Sequence, residues 1–211
     1  MQSIKSIIFD MDGTLLDSSY ALTYSINHVR KSLGLEPLEK ETLEYYINKP
    51  DQDMPMIFYG TREYLKEHQE MFKKHYLENA NLHVEPYEGV YELLSYLKSH
   101  DITLSIATNA SDFFAQNMLQ FAKMLEYFKY IVGSNNVQNS KPKPDMIDMI
   151  CEKSNIAKEQ TLLIGDSIKD ELAAKNAGVD FLFAGWGYGY SQNSKKFDTI
   201  SAMLEYLKKL V

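Results

Sequence analysis

The chain has 211 residues, 45% of them hydrophobic and 24% charged, with a formal net charge of −7. Those proportions are globular rather than disordered, and a chain this long buries roughly 70% of the surface its unfolded form exposes, so it needs neither a disulfide nor a structural metal to hold a core. The negative balance repels polyanions and so argues against nucleic acid or an anionic membrane as partner, while the single cysteine, Cys151, excludes a disulfide framework and a cysteine-based zinc site.

The N-terminal Met1-Gln2-Ser3 runs straight into a strand-like segment without a signal-peptide pattern. No apolar run is long enough for a membrane helix. A cytoplasmic protein, monomeric or weakly dimeric, is expected.

Residues 4–10 (IKSIIFD) read as the first buried strand. Residues 15–86 then read helical throughout. Leu22, Ile26, Val29 and Leu33 form one stripe closed by Gly34, and Leu65, Met71, Phe72 and Tyr76 mark a second, long helix. Pro37, Pro50, Pro55 and Gly60 punctuate the segment. Val90, Leu93, Leu94 and Leu97 open a regular alternation of helices and strands. Its strands are 102–108 (ITLSIAT), 130–133 (YIVG), 161–166 (TLLIGD) and 180–184 (DFLFA). The stripes between them are Phe114, Met118, Phe121, Ala122 and Leu125, then Ile147, Ile150 and Cys151, then Leu172, Ala173 and Ala177, then Ile200, Met203, Leu204 and Leu207. Continuous apolar strands alternating with amphipathic helices predict an α/β fold with a doubly wound parallel sheet covered on both faces. The helical insertion leaves and rejoins the same sheet edge, so its ends must be close. It hangs over the carboxyl ends of the strands, where such sheets bind ligands.

The strongest chemical signal is Asp10-Met11-Asp12-Gly13-Thr14-Leu15-Leu16-Asp17-Ser18, directly after the first strand. Two carboxylates one residue apart, turned towards one pocket by Gly13, repel each other unless a cation sits between them, which points to a hard oxygen-ligated metal such as Mg²⁺. A second acidic group, Gly165-Asp166-Ser167-Ile168-Lys169-Asp170, stands at another strand end. Alone it reads equally as a helix cap; with Asp10 and Asp12 it supplies further oxygens. Thr108-Asn109 ends the second strand, where a hydroxyl and backbone N–H groups can hold a phosphate oxygen. In Ser140-Lys141-Pro142-Lys143-Pro144-Asp145 two prolines stiffen the chain around an ammonium able to neutralise a phosphoryl group.

Taken in this order, the motifs resemble those of the haloacid dehalogenase-like (HAD) hydrolases. Asp10-x-Asp12-Gly13-Thr14 matches the first motif, Thr108 the second, Lys141 the third and Gly165-Asp166-x-x-x-Asp170 the fourth. The insertion is similar to the helical cap of the phosphoglycolate phosphatase and beta-phosphoglucomutase branch. Pro86-Tyr87-Glu88-Gly89-Val90 and Ala184-Gly185-Trp186-Gly187-Tyr188-Gly189 are similar to that branch too, the latter to its phosphatase side. The resemblance implies a Rossmann-like core of residues 1–14 and 87–211, strand order 5-4-1-2-3, and a cap of residues 15–86.

It also implies roles. Asp10 is the nucleophile and Asp12 the proton donor and base. Thr108, Asn109 and Lys141 bind the phosphoryl group. Asp10, Asp166 and the backbone carbonyl of Asp12 hold Mg²⁺, with Asp170 and Thr14 in support. The expected partner is a small phosphorylated metabolite, 2-phosphoglycolate first. A sugar phosphomutase is the alternative, but it needs a cationic grip on a second phosphate, and the cap offers only scattered cations. Asp12 argues against a dehalogenase. A receiver-like signalling module would carry its phosphorylated aspartate after the third strand, where this chain has Gly133-Ser134-Asn135. Lys49, Arg62 and Tyr46 are candidates for substrate selection, against a plainer reading as solvated helix faces. The five histidines show no ligand spacing, and Cys151 reads as core.

Overall fold

The computed structural model describes residues 3–47, 49, 52–192 and 194–211. Met1, Gln2 and the predicted breaker Pro50 lie outside the described residues.

A six-stranded parallel sheet forms the centre. Its strands are β1 (Ser6–Phe9), β4 (Thr103–Ala107), β5 (Tyr130–Val132), β6 (Thr161–Gly165), β7 (Asp180–Ala184) and β8 (Lys195–Phe197), in the order β5-β4-β1-β6-β7-β8. The first five follow the predicted order. The sixth was not anticipated: Lys195–Phe197 carries two lysines in three residues, so hydrophobicity does not mark it, yet it pairs with the edge of β7. An edge strand can carry charge because one side faces solvent.

The period-two alternation of β1 divides the core. Ile7 and Phe9 point into a layer with the helices α5 (Val90–Ser99), α6 (Asp112–Phe121) and α9 (Ile200–Leu207). Ile8 points into the opposite layer, with α7 (Asp145–Ser154) and α8 (Ile168–Ala177). All four residues of β1 are buried, and each large apolar side chain so placed contributes roughly 1.5–3 kcal/mol over exposure.

Among the described residues four helices lie between β1 and α5: α1 (Ser19–Ser32), α2 (Lys40–Ile47), α3 (Met54–Tyr59) and α4 (Lys66–His83). Ile26 and Val29 of α1, Leu43 of α2 and Phe58 and Tyr59 of α3 form their own buried cluster. Arg30 staples it by donating to the carbonyls of Glu36, Ile57 and Phe58. Pro55 sits in the first turn of α3, where its missing N–H costs nothing, and Gly60 ends that helix at φ +68°.

The segment is not helical throughout. Its ends pair as a short antiparallel ribbon, β2 (Leu16–Asp17) with β3 (Glu85–Pro86), in the register Leu16↔Pro86 and Asp17↔Glu85. The Tyr87 N–H donates to Leu15 O across the same joint at 3.1 Å. Runs of two residues are too short to carry a periodic signal. Leu33 also leaves its predicted stripe: α1 ends at Ser32, and Leu33 is 39% exposed. Phe121, at the end of α6, is likewise exposed.

Candidate active site

Because the strands are parallel, their carboxyl ends share one edge of the sheet. Asp10 follows β1, Thr108 follows β4 and Asp166 follows β6, three strands adjacent in the sheet. This is the crevice where the chain reverses its direction of travel across the sheet, the usual ligand position in such folds.

Lys141 joins the parts. Its Nζ donates to Asp10 Oδ1 at 2.6 Å, to Ala107 O at 2.6 Å and to Asp170 Oδ1 at 2.5 Å. Lys141, Asp10 and Asp170 are all buried, so the three donor protons of one ammonium are spent on groups that would otherwise be unpaired. Burial alone would lower the Lys141 pKa, but the Asp10 and Asp170 carboxylates hold it above the ordinary lysine value. The Asn109 amide clamps the lysine backbone at both ends: Nδ2 donates to Lys141 O at 2.9 Å, and Oδ1 accepts from Lys141 N at 3.0 Å. Asp170 is held in turn by the helix it opens. Its Oδ2 accepts from the N–H and hydroxyl of Ser167, the residue capping α8.

Asp166 Oδ2 accepts from the N–H groups of Tyr188 and Gly189, at 3.2 and 3.1 Å. That contact requires the glycines after β7. A Cβ at position 189 would lie 2.1 Å from Asp166 O. Gly13 has φ +83°, and a Cβ there would lie 2.3 Å from Asp166 Oδ2, so the turn after β1 admits only glycine.

One oxygen each of Asp10, Asp166 and Asp170 lies within 4.8 Å of the others, and all three residues are buried. Set against one ammonium, this leaves net negative charge in a dry site. Burial, with the neighbouring carboxylates Asp170 and Asp12 adding to it, raises the Asp10 pKa to about 7 despite Lys141. Burial and the charges of Asp10 and Asp170 push Asp166 well up. Asp10 Oδ2 and Asp166 Oδ1 accept no hydrogen bond among the described residues. Hard oxygens with surplus negative charge and unused lone pairs suit a divalent cation.

The Asp12 carboxylate stands outside that trio. It accepts from the Ser18 hydroxyl, which lies 3.5 Å from Tyr188 Oη. Burial raises its pKa as well. Thr108 is buried, and its Oγ1 accepts from the Ala110 N–H at 3.1 Å. Thr14 Oγ1 is buried without a partner among the described residues, while its carbonyl accepts from Trp186 Nε1 at 2.9 Å. Ser18, Tyr188 and the Asn109–Lys141 clamp are features that sequence reading did not assign; the glycine spacing 185-187-189 was the one visible trace of the Tyr188 loop.

A cavity of about 510 Å³ adjoins these groups, lined by Asp10, Asp12, Thr108, Lys141 and Asp166 together with side chains of α1 to α4 and α6. Lys49 and Arg62 do not line it; the cap lysine that does is Lys73. Lys49 instead reaches the hydroxyl of Tyr45, one turn away, and Arg62 is exposed.

Comparison with known proteins agrees with this geometry. The family model described as haloacid dehalogenase-like hydrolase matches residues 7–184. The phosphoglycolate phosphatase of Aquifex aeolicus is 32% identical over 194 residues, covering 88% of this chain and 86% of its own. A haloacid dehalogenase-like family hydrolase from Streptococcus pneumoniae superposes with a TM-score of 0.84 at 25% identity, over 98% of this chain and 99% of its own. A predicted phosphoglycolate phosphatase of Haemophilus somnus gives 0.82 at 26% identity, over 98% and 99%. The chain belongs to the haloacid dehalogenase-like hydrolases. Within them it falls in the phosphoglycolate phosphatase-like branch and is a phosphoric monoester hydrolase.

Proposed function

We propose that the chain hydrolyses a phosphomonoester through an aspartyl phosphate, with Asp10 as nucleophile and Asp12 as acid and base. The observation that carries this reading is the division of labour between the two carboxylates. Asp10 is ion-paired to Lys141, whereas Asp12 is bonded to a hydroxyl instead. Burial raises the pKa of both carboxylates, so it is their partners that divide the roles: the Lys141 ammonium favours the anion that attacks at Asp10, while Asp12, bonded to a hydroxyl, is placed to carry a proton.

In the first displacement an Asp10 oxygen bonds to phosphorus as the ester P–O bond breaks, and Asp12 delivers its proton to the departing alcohol. In the second, Asp12 takes a proton from water, whose oxygen displaces Asp10 and releases phosphate. The Thr108 hydroxyl is placed to donate to a phosphoryl oxygen, and Lys141, whose three protons are engaged, offsets the phosphoryl charge from beside Asp10. Asn109 acts through Lys141 by fixing its backbone, and Asp170 by fixing its ammonium. Thr14 supports the turn that aims Asp12. A divalent cation, Mg²⁺ in this proposal, is held by Asp10, Asp166 and, as the family resemblance implies, the Asp12 carbonyl; it supplies positive charge that lets a phosphate dianion approach a carboxylate.

Residues 15–86 serve as the cap and residues 1–14 and 87–211 as the core. The β2–β3 ribbon supports that division, since it brings entry and exit of the segment together beside Asp12. The test is phosphate release from a panel of phosphomonoesters with Mg²⁺, with 2-phosphoglycolate included because the relatives carry its name. Full turnover of p-nitrophenyl phosphate after exhaustive chelation would contradict the metal's part, and no release from any ester would contradict the reading as a whole.

A further inference from the structure

The cavity above Asp10 has a character that the phosphoryl chemistry does not require. Leu22 and Ile26 of α1 and Ile47 at the end of α2 give it an aliphatic side. Phe72 and Tyr76 of α4 and Phe114 of α6 give it an aromatic one. The three rings pack as a unit: Phe72 stacks on Tyr76 at 5.4 Å between centroids, and Phe114 meets Phe72 edge-on at 6.1 Å and Tyr76 at 5.5 Å. Phe72, Phe114, Leu22 and Ile47 are only half-buried, so they still have surface to offer.

The polar side chains on these walls, Tyr59, Tyr64, Gln69, Lys73 and Lys169, are outnumbered by apolar ones. Lys169 Nζ donates to Ile47 O at 2.6 Å. Lys73 Nζ stands 4.3 Å from the ring centre of Phe113. Arg30 is committed to backbone carbonyls, and among the described residues no arginine lines the cavity. A substrate carboxylate lying against these apolar side chains would be costly to bury unless it reached Lys73. The volume, about 510 Å³, lies within the roughly 300–1,000 Å³ of pockets that enclose drug-sized ligands. A compound as small as 2-phosphoglycolate would leave most of the apolar wall wet.

Resting on the phosphatase reading above, we propose that the substrate is the phosphate ester of an apolar alcohol, whose hydrocarbon body lies between the aliphatic and aromatic walls while its phosphoryl group meets Asp10. The cap then selects by burial of apolar surface rather than by ion pairing.

The experiment is a series of n-alkyl phosphates from ethyl to hexyl, measured with Mg²⁺ beside 2-phosphoglycolate and p-nitrophenyl phosphate. The alcohols in the series have nearly the same acidity, so the chemical step is held constant and chain length reports burial. The expected result is a rise in kcat/KM of roughly fourfold per methylene, carried mainly by KM, as expected for about 0.8 kcal/mol per buried methylene. Hexyl phosphate should be preferred to 2-phosphoglycolate, and Phe72→Ala should lower the slope. The wild-type series decides the matter even if that variant folds poorly. A flat series with 2-phosphoglycolate preferred would overturn the proposal and leave the phosphatase reading standing. No release from any ester, p-nitrophenyl phosphate included, would overturn both.

Discussion

The two ends of the cavity are built on different principles. Around Asp10 the side chains are charged and buried: Asp10, Lys141, Asp166 and Asp170 are each at most 7% exposed. Such burial destabilises a fold unless every charge is matched, so the arrangement calls for a chemical explanation, and the explanation is narrow. Around Phe72 and Leu22 the side chains are apolar and only half-buried, and covering such surface costs a fold nothing. On the readings proposed above, the reaction is written in residues that are expensive to hide, and the choice of substrate in residues that are not.

The largest effect expected falls at the charged end. Asp10→Asn removes the attacking oxygen and should abolish both turnover and the phosphoprotein, seen as an added phosphate mass after acid quench. A labelled phosphoprotein in this variant would place the nucleophile elsewhere and dissolve the contrast between the two ends. Next is Asp12→Asn, for which the loss of acid and base is worth about 10²–10⁴-fold. The loss should be greatest for alkyl phosphates and smallest for p-nitrophenyl phosphate, whose leaving group needs no proton. Equal losses would remove the role given to Asp12.

That contrast also sets how much was legible in the sequence. The motif around Asp10 and Asp12 is local, and the strands announce themselves by continuous apolar runs, so the strands and the strand-end carboxylates could be read directly, while the sheet order followed only from the family resemblance. The Lys141–Asp10 bond joins residues 131 apart in the chain, and the Asn109–Lys141 clamp residues 32 apart. Neither partner's identity specifies the other without the fold. Asn109 read as a phosphate ligand, and it lines the cavity; that its amide also holds the backbone of Lys141 shows only in the fold. The cavity wall was invisible for a different reason: Leu22, Ile26, Phe72 and Tyr76 sit at helical spacings that describe core packing equally well. Lys49 and Arg62 drew attention because they are charged, but they lie between the cap helices, where surface charge is ordinarily solvated.

A smaller effect sharpens the comparison through stability. If the carboxylates at the strand ends hold Mg²⁺, the cation should raise the thermal midpoint, by the equivalent of roughly 2.7 kcal/mol at a hundredfold excess over Kd. Asp166→Asn should remove that increment, whereas Phe72→Ala at the apolar end should keep it. Calorimetry with and without a chelator measures both, and an unchanged Mg²⁺ increment in Asp166→Asn would move the cation away from β6.

The smallest effect belongs to the cap alone. His75 of α4 stacks on His28 of α1 at 4.0 Å between centroids and lies 4.8 Å from the Tyr24 ring, with Nδ1 3.1 Å from Ser25 Oγ. Burial, and then the neighbouring His28, lower its pKa below the ordinary histidine value, against a weaker opposing pull from Glu78. In the folded state His75 thus binds a proton less readily than in the unfolded one. Its contribution to stability is complete above the ordinary value of about 6.5. As the pH falls below that value the unfolded chain takes up the proton first, and the contribution is lost progressively down to the lowered folded pKa. His75→Gln, which cannot be charged, should therefore lose less stability than the wild type as the pH falls from about one unit above the ordinary histidine value to about one unit below it. Urea midpoints for the two proteins at each pH measure the difference. The change should be a modest one, because the ring is only half-buried, and it should persist in Mg²⁺, since no carboxylate of the strand-end cluster is among the groups that shift His75. Parallel pH curves for the two proteins would show that the α1–α4 contact does not sense this proton.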